Sequence, residues 1–279
     1  MRFRTTGWGR RVLLHILLAA LMFVFAFPLL WMLSYSLRPT GLPPVRLELF
    51  TPPFAFDNYA RVLRVVPLPR FMWNSLRVVA VAVPLTLLTA SWAGFALAQA
   101  PRRVRVALLT LSVVLLLVPG PAVWVPRFLI FTRLGWINTL APLVAPALMG
   151  TSPFYVILFY LAFARVPLDV YESARLDGAH PLRIWYAIAL PMVRPAVVAV
   201  AALTFGDYWS NYVDPLLYMR SEAHYTLPVG VQLLQQAIRA NWPLLMAASV
   251  MMVAPVVALF VLAQRFFLQG DIMLVRWLR

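Results

Sequence analysis

The sequence predicts an all-α integral membrane protein with six transmembrane helices, forming one domain over residues 1–279. Hydrophobic residues make up 63% of the chain and charged residues only 12%. The mean hydropathy is +0.83. A soluble protein of this length cannot bury so much apolar surface, whereas a membrane can accommodate it. Apolar runs long enough to cross a bilayer also recur along the whole chain.

A helix needs about 20 apolar residues to cross the ~30 Å hydrocarbon layer. Six runs meet this requirement, at residues 12–37, 78–100, 104–131, 141–164, 192–213 and 244–264. The first run is longer than the apolar part of a secretory signal, so we expect it to remain as a membrane anchor. Each run contains a proline, which predicts kinked helices whose freed carbonyls are satisfied by their neighbours.

Two connections are too long to be simple turns. Residues 38–77 are rich in proline and turn residues and predict an ordered surface loop followed by a short helix. Residues 165–191 hold three of the nine acidic residues in a chain where charge is scarce. This second connection is therefore the strongest candidate for a functional segment.

The charge pattern fits a membrane surface and not a nucleic acid. The formal net charge is +15, but no soluble domain carries it as a basic patch. With a cytoplasmic amino terminus, 14 of the 24 arginines fall on the cytoplasmic side, which is the expected bias. We therefore predict that both termini are cytoplasmic and that the chain's main environment is membrane lipid.

Several chemistries are excluded by composition. All 24 basic residues are arginine, so the chain cannot contain a phosphate-binding loop, which requires a lysine. Cysteine is absent and the three histidines are far apart in the sequence. We therefore predict no catalytic residues, no metal site and no cofactor in this chain.

Residues 166–191 read VPLDVYESARLDGAHPLRIWYAIALP. Pro167 can open a helix, Asp169 and Glu172 suit its positive amino-terminal end, and Gly178 tolerates a left-handed stop. The pattern predicts a short helix, a turn and a second amphipathic segment. Glu172 and Asp177 could pair with a partner protein. Alternatively, Glu172 pairs with Arg175 on a simple solvated helix.

The same segment resembles the EAA loop of importer permeases, whose signature is E-A-A-x3-G-x9-I-x-L-P. The matching residues are Glu172, Ser173, Ala174, Gly178, Ile188, Leu190 and Pro191, and Asp177 and Ala179 fit a frequent form of the loop. Ser173 replaces the first alanine of the signature by another small residue. The resemblance identifies these nine residues as candidates for coupling to an ATPase.

Further stretches extend the resemblance over nearly the whole chain, to the maltose-type, carbohydrate-uptake branch of ABC importer permeases. They include FPLLWMLSYSLRP at 27–39, TLPVG at 226–230 and QRFFLQG at 264–270. The resemblance implies the type I importer architecture in the cytoplasmic (inner) membrane of a bacterium or archaeon. It also implies a second permease, two ATP-binding subunits that hold ATP and magnesium, and an extracytoplasmic solute-binding protein.

The end of the fifth run is a candidate part of the solute path. Asp207, Asn211 and Asp214 would share one helix face, with Trp209 beside them. Polar groups are costly in a membrane helix unless they face water or a partner. The alternative is that these residues lie at the external membrane interface.

Other functions have weaker support in the sequence. A secondary transporter driven by an ion gradient would place ionisable residues in mid-membrane, where only Asp207 and Asp214 are candidates. A membrane enzyme would need paired carboxylates supported by other catalytic groups. Within the importers, a sugar or oligosaccharide is the expected solute, and a glycerol phosphodiester is the alternative.

Overall fold

The computed structural model describes residues 8–39, 49–50, 52–238 and 241–277. Within these ranges the regular structure is entirely helical. The α-helices are α1 (Trp8–Ser36), α2 (Asp57–Val65), α3 (Leu68–Gln99), α4 (Arg102–Leu116), α5 (Gly120–Arg133), α6 (Ala141–Val144), α7 (Pro153–Phe163), α8 (Leu168–Leu176), α9 (Pro181–Arg183), α10 (Leu190–Met192), α11 (Arg194–Ser210), α12 (Val213–Tyr218), α13 (Leu227–Ala237) and α14 (Trp242–Trp277). Short 3-10 segments lie at Ala145–Met149 and Glu222–His224, and a π-helical segment joins α9 to α10.

The spans agree with the predicted all-α membrane fold. Four helical stretches are long and apolar enough to cross a bilayer, namely Arg11–Ser36, Leu68–Gln99, Ala141–Phe163 and Trp242–Leu262. Two further pairs of helices meet the same test together but are sharply bent, which gives six spans in the described residues when each pair counts as one. The second span begins at Leu68 and not near residue 78, because the short loop helix ends before it.

The third predicted run is not one continuous helix. The chain breaks between α4 and α5, which meet at 95°. Pro119 lies in the break with extended backbone, φ −66° and ψ 134°. Proline has no N–H to continue a helical hydrogen-bond ladder, so the bend falls where the sequence removes that donor. In contrast, Pro28, Pro84 and Pro255 lie inside continuous helices.

The chain divides into two compact units. One contains residues 1–67 and 231–253, and the other contains residues 68–230 and 254–279. In the first unit, Asn58 of α2 is fully buried and its Nδ2 donates to the carbonyl oxygens of Ser36 and Arg38 at 2.8 and 2.7 Å. This contact fixes the short loop helix against the end of α1, as the prediction of an ordered loop required. Residues 40–48 and 51 of that loop lie outside the described residues.

The core of the second unit is formed by α3, α7 and α11. Gly94 of α3 lies against α7, where a Cβ atom on it would come within 2.6 Å of Phe159 Cβ and 2.8 Å of the Tyr160 backbone nitrogen. Only a glycine allows the two backbones to approach so closely. This packing provides the rigid base on which the loop at residues 165–191 lies.

Candidate functional site

Helix α8, the first half of the predicted coupling loop, has one buried face. Tyr171 and Ala174 are almost completely buried and belong to the core that α3 and α7 form. The Tyr171 hydroxyl donates to the carbonyl oxygen of Phe163 at 3.2 Å, and its ring packs edge-on against Phe95. Burial raises the pKa of the Tyr171 hydroxyl to about 12, so it remains a donor at any physiological pH. The helix is thus fixed to the membrane domain through its tyrosine.

The turn after α8 has the geometry that the sequence predicts. Gly178 adopts φ 77°, which is left-handed. The Ala179 N–H donates to the Ala174 carbonyl and the Gly178 N–H to the Arg175 carbonyl, both at 3.0 Å. These two bonds form a Schellman motif, which satisfies the last carbonyls of a helix. The left-handed stop at Gly178 is therefore confirmed.

The opposite face of α8 presents acidic side chains to solvent. Glu172, Ser173 and Asp177 are exposed. The predicted alternative, an ion pair between Glu172 and Arg175, is not formed, because Arg175 Nη2 donates to Gln99 Oε1 of α3. In the described part of the chain, neither Glu172 nor Asp177 has an ion-pair partner. Among the described residues, Glu172 and Asp177 are therefore free to pair with a partner protein.

The second half of the loop serves as an anchor. Ala189 is fully buried, and Ile188 and Leu190 pack against the same core. Pro191 is half-buried. The loop signature therefore divides into an exposed part around Glu172 and a packed part around Ile188.

Sequence reasoning missed two features of this half. The segment Ile184–Ala189 is π-helical, and Trp185 within it stacks on Trp92 of α3, with ring centroids 6.0 Å apart. A π turn differs from an α turn by a single hydrogen-bond register, for which the sequence offers no signal. The tryptophans were visible in the sequence, but their separation along the chain hid the contact.

The helix-face argument for the candidate solute path is wrong. Helix α11 ends at Ser210, and Asn211 is extended with ψ 113°, so Asp207 and Asp214 lie on different helices. Trp209 is 1% exposed and stacks on Phe205, which makes it a packing residue within this chain. Whether any of these residues contacts the solute stays a prediction.

Asp214 and Asn211 instead belong to a cluster that joins α12 to α5. Asp214 is 9% exposed and accepts from Asn211 Nδ2 at 2.9 Å and from Arg127 Nη2 at 3.4 Å. The Arg127 guanidinium also lies 5.8 Å from the ring centres of Phe131 and Tyr218. Sequence reasoning missed Arg127, although a lone arginine inside an apolar run should suggest a buried acidic partner.

Asp207 has a different environment. It is exposed, and the Tyr155 hydroxyl of α7 donates to its Oδ2. The neighbouring Tyr208 points into the core, where its hydroxyl lies 3.1 Å from Thr151 Oγ1. Thr151 in turn bonds Thr86 of α3. Tyr208 of α11 thus belongs to an internal polar network, whereas its neighbour Asp207 presents an exposed carboxylate.

Among the described residues, no group of three or more His, Asp or Glu side chains could hold a metal ion. The arrangement instead suits a mechanical role. A charged helix with a rigid attachment is linked through Val193 to α11, which carries Asp207. Tyr171 of α8 and Val200 of α11 belong to the same buried cluster, so the two helices pack on one core.

Known proteins resemble the chain over almost its full length. The arabinooligosaccharides transport system permease protein AraQ of Halalkalibacterium halodurans is 32% identical over 263 residues, covering 92% of this chain and 93% of that protein. The trehalose/maltose transport system permease protein MalG of Thermococcus litoralis is 27% identical, covering 94% and 95%. A chain in the crystal structure of a bacterial ABC transporter involved in alginate import matches with a TM-score of 0.73 at 20% identity, over 95% of this chain and 99% of that one.

The helical spans and the charged loop between the fourth and fifth of them define a membrane permease of the type I importer fold. Residues 83–269 match the family described as binding-protein-dependent transport system inner membrane component. The chain belongs to this family. The resemblance to ABC importer permeases drawn from the EAA loop is thereby confirmed, and the chain is a multi-pass membrane protein.

Proposed function

We propose that this chain is the non-catalytic permease subunit of an ATP-driven importer for a sugar or oligosaccharide. It forms the solute path with a second permease and receives solute from an extracytoplasmic binding protein. Two partner subunits bind ATP and magnesium and hydrolyse the nucleotide. Both termini of the chain lie on the cytoplasmic side of a cytoplasmic membrane. The observation that carries the proposal is the exposure of Glu172 and Asp177, which have no ion-pair partner among the described residues, on a rigid base.

The structure of α8 supports docking into a basic groove of the ATPase. Glu172 and Asp177 are exposed without ion-pair partners in the described chain, while Tyr171 and Ala174 hold the helix from behind. Complementary charge favours one orientation of the partner, and the buried face transmits its movement. Closure of the ATPase dimer would then move α8 together with the ends of α3 and α7.

The family relatives support a saccharide as the solute. Several relatives are described as permeases for arabinooligosaccharides, lactose and trehalose or maltose. A sulfoquinovosyl glycerol permease of Agrobacterium fabrum, 28% identical, extends the range to an anionic sugar conjugate.

The proposal is tested with the complex reconstituted in liposomes. We expect saccharide uptake that requires ATP and the binding protein, and no ATP hydrolysis by the purified chain alone. Glu172→Ala should weaken ATPase binding roughly ten- to a hundredfold, because a charge-assisted contact is worth about 1.5 to 3 kcal/mol. Its thermal unfolding should be unchanged, since Glu172 is exposed.

Glu222→Ala is the matched control, because Glu222 is also exposed but lies in a 3-10 segment far along the chain from α8. It should bind the ATPase normally. Wild-type ATPase affinity of Glu172→Ala would show that the docking assignment is wrong. Uptake that persists without ATP, driven by an ion gradient, would overturn the importer mechanism itself.

A further inference from the structure

The carboxylate of Asp207 is an unusual feature for the surface of a membrane span. It lies on an exposed face of α11 that it shares with Leu203 and Ser210, at i, i+4 and i+7 spacing. Asp207 has no ion-pair partner within the described residues. Its contact is the hydrogen bond from the Tyr155 hydroxyl of α7. The carboxyl group is therefore presented outward from the helix.

Helix geometry fits a position of Asp207 inside the hydrocarbon layer. A helix rises about 1.5 Å per residue, so Asp207 lies about 20 Å from the start of α11 at Arg194. Helix α3 gives the same depth by a second route. The Tyr208 hydroxyl contacts Thr151, and Thr151 in turn bonds Thr86 of α3. Thr86 lies about 20 Å from the end of α3 at Gln99. The hydrocarbon layer is ~30 Å thick.

The end of α3 at Gln99 and the start of α11 at Arg194 lie on the same side of the membrane domain. Phe95, one turn before the end of α3, and Val193, just before α11, lie in the one core that also holds Tyr171 of the coupling helix. Asp207 is thus well short of the opposite membrane surface. This depth favours a position inside the span over the external interface.

Among the described residues, the space beside Gly206, the neighbour of Asp207 in α11, is open. A Cβ atom placed on the neighbouring Gly206 would meet no atom within 4 Å. A carboxylate exposed at this depth cannot face lipid tails, because such a charge is too costly in hydrocarbon. It must face either a water-filled path or a polar surface of a neighbouring subunit.

We propose that Asp207 is a charge-selective contact in the solute path, which accepts hydrogen bonds from hydroxyl groups and repels anions. Tyr155 is its positioning residue, since its hydroxyl fixes the orientation of the carboxylate. The nearby Arg127 does not cancel this charge, because it is paired with Asp214. The contact selects neutral polyhydroxylated solutes over uronates, sulfonates and phosphodiesters. This inference rests on the proposed importer function and specifies its solute class.

The test uses thiol chemistry and requires no knowledge of the solute. Ser210→Cys introduces a single thiol into a chain that has no cysteine, on the same face and about 5 to 6 Å from Asp207. In the assembled complex, its labelling rate is measured with a cationic and an anionic methanethiosulfonate reagent of similar size. Intact mass of this chain reports the labelling, and a small free thiol normalises the two reagents.

We expect the cationic reagent to be favoured by about tenfold, which is the effect of one carboxylate at this distance in a water-like medium. Asp207→Asn should remove the preference, and Tyr155→Phe should reduce it. Asp169→Asn is the control, because it removes an exposed carboxylate of α8 and should leave the ratio unchanged. Trapping the ATPase with nucleotide should change the labelling rate of the Ser210→Cys thiol.

Three results would overturn the inference. One is labelling with no charge preference, and another is a preference that survives Asp207→Asn. The third is a thiol that reacts in the isolated chain but is blocked in every state of the assembled complex, which would mean that the sister permease covers this face. None of these measurements depends on transport. Uptake without ATP would show that the importer proposal is wrong. That result is distinct from the three results above, which would show that the proposed role of Asp207 is wrong.

Discussion

Gly178 offers the sharpest test of how the coupling helix works. Its φ of 77° is strained for any residue with a side chain, but a Cβ atom there would meet nothing within 4 Å. The whole cost of Gly178→Ala is therefore conformational, about 1 to 2 kcal/mol. That cost shifts the equilibrium between the closed turn and its alternatives by roughly 5- to 30-fold.

We expect Gly178→Ala to lower ATPase stimulation in the reconstituted complex, because the turn sets the direction in which the acidic face of α8 points. Gly178→Asn should be milder, since asparagine tolerates the left-handed region better than alanine. The measurements are ATPase activity of the complex and thermal unfolding of the chain in detergent.

Gly135 provides a closely matched control. It also ends a helix, with φ 68°, open space for a Cβ atom, and a Schellman bond from the Trp136 N–H to the Phe131 carbonyl. Gly135→Ala should cost the same stability but leave ATPase stimulation intact, because it lies outside the coupling loop. Equal loss of stimulation in both variants, or equal effects of alanine and asparagine at Gly178, would refute this reasoning.

Two further predictions concern packing and the buried ion pair. Gly94→Ala should destabilise the detergent-purified chain by about 1 to 3 kcal/mol, because the new methyl overlaps the α7 backbone. Gly206→Ala, which meets no neighbour, should be neutral or stabilising, and similar unfolding temperatures for the two would contradict the close approach. Replacing Asp214 by Asn and Arg127 by Gln should give non-additive losses of stability, with a coupling energy of about 0.5 to 3 kcal/mol in a double-mutant cycle. Additive losses would mean that the pair does not hold α12 to α5.

Much of the fold and part of the site could be predicted from local sequence patterns. A span must be long enough to cross the bilayer, so the spans could be located from the lengths of the apolar runs. The bends inside the third and fifth spans required three-dimensional information. Gly178 could be assigned a left-handed stop because that conformation depends on one residue and its neighbours in the chain. The prediction that Asp207, Asn211 and Asp214 share one face of the fifth helix was wrong, because the helix breaks at Asn211. The hydrogen bonds between Asn211 and Asp214 at this break cannot be read from helical periodicity.

The sequence by itself determined the membrane environment, the helical class, the absence of a phosphate-binding loop and the position of the EAA-like loop, since each follows from composition or short-range spacing. Only the tertiary structure decided which partners the charged side chains have. Arg175 bonds Gln99 and Arg127 bonds Asp214, each across a long sequence separation, while Glu172 and Asp207 remain exposed. Electrostatic pairing depends on distance in space, and helix packing sets that distance.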